Sequence, residues 1–430
     1  DTVVLSGDRS TITGCNITDN LQITGDSSGI SGTTVTGSIT LDGTGNFIQA
    51  SSIINGVTNI NAATATLKGS TFKATIIVGG SGAIIGTNAD ANTFILVNND
   101  HGIESTGAAA SLTTLRAENN DFRANVEGEA YSGIVLGDQF SGAITLIDND
   151  MSTATDDIVT EGIIIDSGTA TITKSDIISN GTGIGIKLTG GTNHDIGVSG
   201  DYDQKNILKS LDTAIQSSVN TTIDVNNNHI GVSGAGNTTA GLLVDTTSTL
   251  NSNNNVYDTN PLAINVTADV TFGSSGDSIA NSSTAGIKIN HASANPTIAT
   301  LSSANTATIG VLITTSDTGS IQNSTFNMNG TDIGVQVADN ADKITVTKNI
   351  FNGSGADEVA IDNNDNADTL TAHKNFFDAA DGPIHDDDTA TGSGDKVEGK
   401  VQYSPFHTTN ALDDGVIDYR LKVTTSAPAT

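Results

Sequence analysis

A unit of about 24 residues recurs along this chain, and a fixed repeat of that length leaves few folds open. In residues 332–351, two short segments carry apolar residues at alternate positions, a polar turn separates them, and the pair Ile350 and Phe351 follows. Alternation with a period of two indicates β-strands with one buried face. One such unit cannot bury its apolar face alone, so neighbouring units must lie above and below it.

Two markers trace the repeat through the chain. The first opens a strand in the pattern G-I-x-I, at Ile103, Ile134, Ile163, Ile215, Leu242, Ile264, Ile287, Val311, Val335 and Ile361. The last six of these positions are 22, 23, 24, 24 and 26 residues apart. The second is a polar residue followed by one or two apolar residues, at Phe122, Met151, Ile177, Ile230, Tyr257, Ile279, Phe326, Phe351 and Phe377. Such nearly constant spacing indicates a repeat array.

The repeat predicts an all-β fold, a single-stranded right-handed parallel β-helix (β-solenoid) in which each repeat forms one coil of two or three strands. Leucine-rich repeats have a similar period, but their L-x-x-L-x-L-x-x-N frame is absent here. With coils about 4.8 Å apart, we expect roughly 16 or 17 coils and a rod of roughly 80 Å. The right-handed sense is the default for parallel crossover connections.

The repeat extends over residues 1–406, and we expect one continuous domain there because each coil contacts only its neighbours. Compact coils are expected over residues 1–100, where Ile17, Val35, Ile53, Phe72 and Phe94 are 18, 18, 19 and 22 residues apart. Longer coils with lateral loops should occupy residues 101–374, and a closing coil residues 375–406. Residues 407–430 should form a terminal strand and a tail.

Single residues add expectations about the corners and the first coil. Runs of asparagine at 226–228 and 253–255 predict a ladder of hydrogen-bonded side chains at stacked corners. The first coil should begin at residues 2–5 and should need a cap. Cys15 is the only cysteine, which excludes an internal disulfide. We expect it to point inward as a small apolar residue, with an intermolecular disulfide as the alternative.

The chain is strongly acidic, with 48 Asp and Glu against 17 Lys and Arg and a net charge of -31. This argues against nucleic acid as a partner, because phosphate binding needs a basic surface. It also argues against polyanionic substrates such as pectin, unless calcium bridges the two. The charge either keeps a β-protein rich in strand edges soluble or serves to bind cations.

The sequence also bears on where the protein is found. No apolar segment reaches the roughly 18 residues that a membrane span needs. The chain starts at Asp1 with no signal segment, and we therefore expect a mature secreted protein, extracellular or on a cell surface.

The C-terminal segment carries the most specific motif. It resembles the closing coil of secreted right-handed β-helix proteins of the pectate-lyase-like superfamily, N-[YW]-W-G…S-G-P…G-D-x-V-x-G-x-V-x-Y-S-P-[WF]. The matching residues are Asn375, Phe376, Phe377, Gly382, Pro383, Gly394, Asp395, Val397, Gly399, Val401, Tyr403, Ser404, Pro405 and Phe406. Phenylalanine replaces tryptophan, and Asp378 stands in place of glycine. The resemblance implies the fold and secretion, but no reaction, because many relatives with this ending are non-enzymatic surface proteins.

The residue sets of polysaccharide-cleaving enzymes with this fold are not found. A polygalacturonase-like site has N-x-D, D-D, H-G and R-x-K in that order. Here the His-Gly pair at 101–102 precedes the Asp-Asp pair at 156–157, and R-x-K is absent. His194 and His229 each precede an I-G-V-S-G segment closely, and we interpret them as polar corner residues rather than metal ligands.

A pectate-lyase-like site needs acidic calcium ligands and an arginine that abstracts a proton. Arg116 and Arg123 flank Glu118 and Asp121, which predicts surface ion pairs more than catalysis. Few aromatic residues are available to form platforms for sugars, since the chain has 11 Phe, 5 Tyr and no Trp. We therefore predict no catalytic residues and no required cofactor.

Calcium is the one inorganic partner that the sequence supports. Oxygen-rich clusters occur at Asp362, Asp365 and Asp368, and the candidate ligands are Asp378, Asp381, Asp386, Asp387, Asp388 and Asp395. Calcium takes six to eight oxygen ligands in flexible geometry, which loops of this kind can supply. The EF-hand frame and the G-G-x-G-x-D repeat are both absent, and solvated acidic loops are the alternative interpretation.

These observations lead to three hypotheses. The first is a secreted, non-enzymatic structural protein that associates with copies of itself in a surface layer, sheath or fibre. The second is an enzyme or binding module for a neutral polysaccharide, with Asp156, Asp157, Glu118 and Asp121 as acid and base. The third is an adhesin that binds a host or a surface glycan through one face of loops.

Overall fold

The structure, a computed structural model, confirms the predicted all-β parallel solenoid. It describes residues 1–61, 63–108, 111–151, 158–232, 235–304, 309–316, 318–329, 332–353, 358–365, 367–385, 392–412 and 417–418. Within these residues the only helical segments are two 3-10 turns, Tyr202–Gln204 and Ala341–Lys343. No helix of the described chain is long and apolar enough to cross a membrane.

The chain forms two compact units, Asp1–Val270 and Thr271–Thr430. The strands of the first unit are β1 (Thr2–Leu5), β2 (Thr11–Thr13), β3 (Asn16–Ile17), β4 (Asn20–Ile23), β5 (Gly29–Ser31), β6 (Thr34–Val35), β7 (Ile39–Leu41), β8 (Phe47–Gln49), β9 (Ile53–Ile54), β10 (Thr58–Ile60), β11 (Thr66–Leu67), β12 (Thr71–Phe72), β13 (Ile76–Val78), β14 (Ala83–Ile85), β15 (Asn92–Leu96), β16 (His101–Ser105), β17 (Leu112–Ala124), β18 (Ala130–Leu136), β19 (Phe140–Met151), β20 (Ile158–Ile165), β21 (Thr169–Thr173), β22 (Asp176–Ile178), β23 (Ile184–Leu188), β24 (His194–Ile196), β25 (Ile207–Lys209), β26 (Thr213–Ser217), β27 (Thr222–Asn226), β28 (His229–Ile230), β29 (Ala240–Val244), β30 (Ser248–Asn253), β31 (Val256–Asp258) and β32 (Leu262–Val266).

The boundary between the units falls at the start of β33 (Val270–Ser275). The second unit continues with β34 (Ser278–Ala280), β35 (Ala285–Asn290), β36 (Asn295–Ala299), β37 (Ser302–Ala304), β38 (Ile309–Thr315), β39 (Gly319–Gln322), β40 (Thr325–Asn327), β41 (Ile333–Val337), β42 (Ile344–Thr347), β43 (Ile350–Asn352), β44 (Val359–Asn363), β45 (Leu370–Thr371), β46 (Phe376–Phe377), β47 (Pro383–His385), β48 (Gly394–Gly399), β49 (Val401–Gln402), β50 (Phe406–His407) and β51 (Ile417–Asp418).

Each coil contributes one strand to each of three faces, which we call A, B and C in chain order. In the first unit, face A starts with β1, β4 and β7, face B with β2, β5 and β8, and face C with β3, β6 and β9. The long strands β17 and β19 bend and supply both face B and face C. Neighbouring strands of a face are parallel and come from successive coils, which is the topology of a single-stranded solenoid.

The two sequence markers occupy stacked inward positions, as the repeat predicts. On face A, Ile103 pairs with Ile134, which pairs with Ile163. Each of the ten face A marker residues is fully buried. Between Ile163 and Ile215 the structure adds Ile186, a position that the marker pattern missed.

Face C buries a second column of apolar residues. In the first unit the Phe72 and Phe94 rings are 5.4 Å apart and the Phe94 and Phe122 rings 4.5 Å apart. In the second unit the centroid distances along Phe326, Phe351 and Phe377 are 5.1 and 5.7 Å. Stacked pairs contribute about 0.5–1.5 kcal/mol each beyond the burial of their area. These stacks favour one register because a shifted coil would lose its ring partner.

The corner between faces B and C carries the predicted asparagine ladder. A single residue in the left-handed conformation, for example Asn227 with φ 55°, turns the chain, and the next side chain points inward. Asn206 Nδ2 donates to Asn228 Oδ1 (2.8 Å), and Asn228 Nδ2 donates to Asn255 Oδ1 (3.0 Å). The same side chains also bond backbone carbonyls, as Asn228 does with Ile196 O at 2.8 Å. Buried backbone groups at the corner are thereby satisfied.

Among the described residues, the first coil has strand neighbours on one side. Strands β1, β2 and β3 pair with β4, β5 and β6, respectively, and with no other described strand. Val3 and Val4 are 41% and 55% exposed. Cys15 lies at the corner position in register with the fully buried Thr33, as expected for an inward position, but its side chain is exposed among the described residues. Its thiol donates to Thr13 O at 3.3 Å.

The last coil departs from simple stacking. On face A, β48 lies between β44 and β47, so β47 is the outermost strand although it comes earlier in the chain. On face B, β49 pairs with β45. On face C, β50 lies beside β46 and pairs with β51 in the antiparallel direction. Most of the terminal segment predicted after residue 406, residues 413–416 and 419–430, lies outside the described chain, and β51 covers only Ile417–Asp418.

We expect Asn228→Ala to lower the free energy of unfolding by about 2–4 kcal/mol, because several buried groups would lose their partner at about 1–3 kcal/mol each. Urea denaturation of the variant and the parent measures the difference. The control is Asn251→Ala, which removes only a half-exposed bond to Asp224 Oδ1 (2.7 Å). Equal losses in the two variants would contradict a special role for the ladder.

Candidate functional site: two columns of carboxylates

In-register stacking places equivalent residues of successive coils about 4.8 Å apart. Acidic residues that recur with the repeat therefore become neighbours, even when they are 26 or more positions apart in the sequence. We call Asp121, Asp150 and Asp176 the face C column. We call Asp332, Glu358 and Asp395, together with the neighbouring Asp378, the corner column.

The face C column lies on the outer surface of β17, β19 and β22. Asp121 pairs with Asp150, and Asp150 pairs with Asp176. All three side chains are half-buried. Burial raises the pKa of Asp176 to about 6, with further contributions from Asp150 and Asp148. Burial also raises the pKa of Asp121, where Arg123 opposes the shift and Asp150 adds to it.

Cationic residues follow this column on the next coil. Lys205 and Lys209 lower the pKa of Asp176 in part, because their charge favours the carboxylate. The same two lysines also lower the pKa of His229. Burial is the largest cause of that shift, Lys205 adds to it, and Lys209 contributes less. His229 lies one strand beyond, opposite Ile207. The surface thus changes from acidic to basic over one coil.

A column of this kind can act as an acid and a base at neighbouring positions. One carboxyl with a raised pKa can hold a proton while the next stays ionised, which is the arrangement that general acid–base chemistry uses. Of the four candidate carboxylates predicted from the sequence, the structure places Asp121 in this column. Glu118 lies on face B, beyond the corner residue Asn119, and pairs with Arg116 Nη2 at 2.7 Å. The Asp-Asp pair at 156–157 lies outside the described residues.

The corner column lies where face C leads into face A, in the second unit. The pairing of Ile333 with Val359 places Asp332 beside Glu358, and the pairing of Val359 with Lys396 places Glu358 beside Asp395. Asp332, Glu358 and Asp395 are 7%, 1% and 1% exposed.

Burial and mutual repulsion shift the acids of this column together. Burial raises the pKa of Asp395 to about 7, and Asp378 and Glu358 raise it further against a hydrogen bond from Gly353. Burial also raises the pKa of Asp332 and of Asp378, and Glu358 contributes to both shifts. The column therefore carries less negative charge at neutral pH than its composition indicates.

Gly353 makes room for Asp395. Its N–H donates to Asp395 Oδ2 at 3.1 Å, and a Cβ on Gly353 would lie 2.0 Å from Asp395 Oδ1. A separation that short forces an atom to move, so a larger residue at position 353 would displace the carboxylate. This glycine keeps Asp395 inside the corner.

The predicted calcium ligands are partly brought together. Asp378 and Asp395 belong to the corner column, whereas Asp381 Oδ1 accepts hydrogen bonds from Ser393 N (3.1 Å) and Ser393 Oγ (2.8 Å). Asp386, Asp387 and Asp388 lie outside the described residues. Within the described chain, no group of three or more His, Cys, Asp and Glu side chains is arranged to hold a metal ion. Calcium binding here stays a prediction.

Sequence reasoning missed Asp332 and Glu358. Each of them directly precedes the strand opening of its coil, and Asp395 lies at a similar place before Val397. An acidic residue at the same step of consecutive repeats is a visible signal. It becomes meaningful only once the repeats are aligned coil by coil.

The other predicted acidic cluster is used within the fold. Asp365 accepts hydrogen bonds from the N–H groups of Ala341 (3.1 Å) and Ala367 (2.9 Å), and these bonds lower its pKa. Asp362 Oδ2 accepts a bond from Gln336 Nε2 at 2.6 Å. Asp365 therefore holds neighbouring turns, whereas Asp362 links β44 to β41.

The two candidate histidines lie on different faces. His194 is fully buried on β24, where Nδ1 accepts from Ala170 N–H (3.3 Å) and Nε2 donates to Gly190 O (2.9 Å). Burial lowers its pKa, which keeps the ring neutral. His229 faces outward on face C. Each is the first residue of its strand, and His194 directly follows Asn193, a corner residue in the left-handed conformation.

We expect Asp176→Asn to stabilise the protein at neutral pH. Below its ordinary pKa of 3.8, Asp176 is protonated in both the folded and unfolded states, and its favourable contribution is lost as the pH rises through about 6. At pH 8 the free energy of unfolding, measured by urea denaturation, should therefore be about 1–2 kcal/mol higher for the variant than for the parent. This difference should disappear below about pH 4. Asp138→Asn, at an exposed position, is the control; a gap that does not depend on pH would contradict the interpretation.

Comparison with known proteins adds no identity: no family model, no curated protein and no solved structure matches this chain.

Proposed function

We propose that this chain is a secreted, non-enzymatic structural protein of a cell surface that associates with copies of itself into a layer, sheath or fibre. The observation that supports the proposal is the repeated interior, in which asparagine side chains and aromatic rings of successive coils form ladders and stacks. These interactions fit a structural role, because they stabilise the whole repeat.

Charge opposes this association and makes it depend on cations. Copies that each carry a net charge of -31 repel one another. Calcium bound between carboxylates of the face C column or the corner column would remove part of that repulsion, because a divalent cation reverses the local electrostatics. A structural protein of this type would therefore assemble outside the cell, where calcium is abundant.

We expect negative-stain electron microscopy to show ordered filaments, tubes or sheets with millimolar calcium, and smaller species after a chelator is added. Asp395→Asn with Asp378→Asn should reduce the calcium effect, while Asp138→Asn should leave it unchanged. Isolated particles in both conditions would exclude the proposed self-association. If assembly is the same with and without the chelator, and the same in the double variant, the role of calcium is excluded.

A polysaccharide-acting enzyme is the second candidate, and the face C column favours it. Asp121, Asp150 and Asp176 lie on neighbouring coils, and retaining glycosidases hold two carboxyls about 5–5.5 Å apart. The pKa of Asp176, about 6, suits a general acid. A neutral polymer would be the substrate, because the acidic surface repels anionic ones.

Reducing-end release from a panel of neutral glycans tests this second candidate. If the column is catalytic, Asp150→Asn and Asp176→Asn should each lower kcat by at least about 100-fold, the usual contribution of acid–base catalysis. The exposed Asp138→Asn serves as the matched control. Absence of turnover on every glycan in the panel would reject the candidate.

A further inference from the structure

We propose that face C of the first unit docks against face C of a second copy, about a two-fold axis that runs parallel to the strands and passes midway between β22 and β25. The inference rests on the proposed self-association and names a lateral surface for it. The partner is a second copy of this chain, because the charges on this face complement one another when the face is turned over onto itself. Such self-complementarity is what an isologous contact requires.

The outer surface of face C carries two columns of side chains. Strand residues alternate in direction, so the residues before and after each inward residue point outward, about 7 Å apart along the strand. The first column continues the face C column over three more coils, and its half-buried side chains are Asp121, Asp150, Asp176, Ile207, His229 and Val256. The described members of the second column on the same strands are Arg123, Ile178, Lys209, Gly231 and Asp258.

Turning the face over pairs complementary groups at its two ends. A rotation about an axis parallel to the strands keeps each column over itself and reverses the order of the coils. Strand β19 then faces β28 of the second copy, and Asp150 lies opposite His229, whose ring can donate a hydrogen bond to a carboxylate. Strand β17 faces β31, and Arg123 lies opposite Asp258. Because of the two-fold symmetry, each of these pairs occurs twice.

At the centre of the contact, β22 faces β25 of the second copy. Ile178 lies opposite Lys209, whose methylene stem can cover it while the ammonium extends to Asp176, about 7 Å further along the strand. Burial raises the pKa of Asp176, and Lys209 of the same copy opposes that shift, so the two charges lie close together. In the docked pair these charges would alternate around an apolar centre formed by Ile178 and Ile207.

Other axes through the same face do not give these pairs. An axis on β22 places Asp176 over Asp176 of the second copy, and an axis on β25 superimposes Lys209 in the same way. An axis between β19 and β22 places Asp150 over Asp176. An axis along the solenoid keeps every strand over itself, so Arg123 and Asp258 do not meet. Charge therefore favours the axis between β22 and β25.

The contact is small. From β17 to β31 it is about 24 Å long, and its two columns are about 7 Å apart. A stable interface buries about 800 Å² on each partner, so this surface by itself supports a weak association. Weak contacts gain strength when many copies are joined, as in a layer or fibre.

An exchange of charges tests the interface. Within one copy, Arg123 and Asp258 are five coil steps apart, or about 24 Å. This is well beyond the Debye length of about 8 Å at physiological salt, so they interact only between copies. Arg123→Asp and Asp258→Arg should each raise the dissociation constant at least about tenfold, because each places like charges opposite each other twice. The double variant re-forms both pairs and should recover the affinity of the parent.

Sedimentation equilibrium of the full chain, in chelator at physiological salt and over a series of protein concentrations, measures the dissociation constant. The matched controls are Arg116→Asp, on face B of the same strand, and Asp138→Arg, both at exposed positions. They make the same changes of charge away from face C and should leave the dissociation constant unchanged. Urea denaturation of each variant checks that the fold is kept.

Weaker association of both single variants and recovery in the double variant would support the proposed interface. Single variants that associate like the parent, or a double variant that does not recover, would overturn it. Calcium-dependent filaments that form from a protein monomeric in chelator would sustain the proposed function and reject this inference alone.

Discussion

In-register pairing of parallel strands from successive coils is the constraint on which the rest of this structure depends. Because the backbone ladder fixes the spacing between coils, every inward position has the same neighbours above and below. A residue such as Phe351 must then stack well on both Phe326 and Phe377. The same rule acts at the corners, where Asn228 has to satisfy Asn206 and Asn255 together. Regularity of the sequence follows from this requirement on the interior.

Outward positions stack with the same spacing as inward ones, but charged side chains there repel one another instead of packing together. Two unit charges about 5 Å apart repel by about 3 kcal/mol at an effective dielectric constant of 20, so an acidic residue repeated over several coils is costly. The fold reduces the cost at the face C column by placing Lys209 and Lys205 on the following coil, and the raised pKa of Asp176 reflects the part that remains. Acidic residues that are stacked in spite of this repulsion are candidates for cation binding or acid–base chemistry. Both remain proposals here.

The features that the sequence predicted well are those that every coil needs. Ile103 and Phe122 could be assigned to the interior because their chemistry recurs with the period, and the asparagine runs because a corner requires inward amides. Features that occur once were not predictable in this way. Cys15 aligns with the buried Thr33, yet its side chain is exposed, and periodicity alone does not show this difference. Glu358 joins Asp395 only through the alignment of β44 with β48, and the chain order alone hides that β47 lies outside β48.

The lateral surfaces of this solenoid decide how copies could meet, because the interior is already satisfied by stacked rings and amides. The face C column lies on one of these surfaces, and copies that each carry a net charge of -31 repel one another. Cations or protons bound by such a column would remove part of that repulsion. A lateral contact between copies would therefore be sensitive to cations and to pH, and assembly outside the cell could be controlled through it.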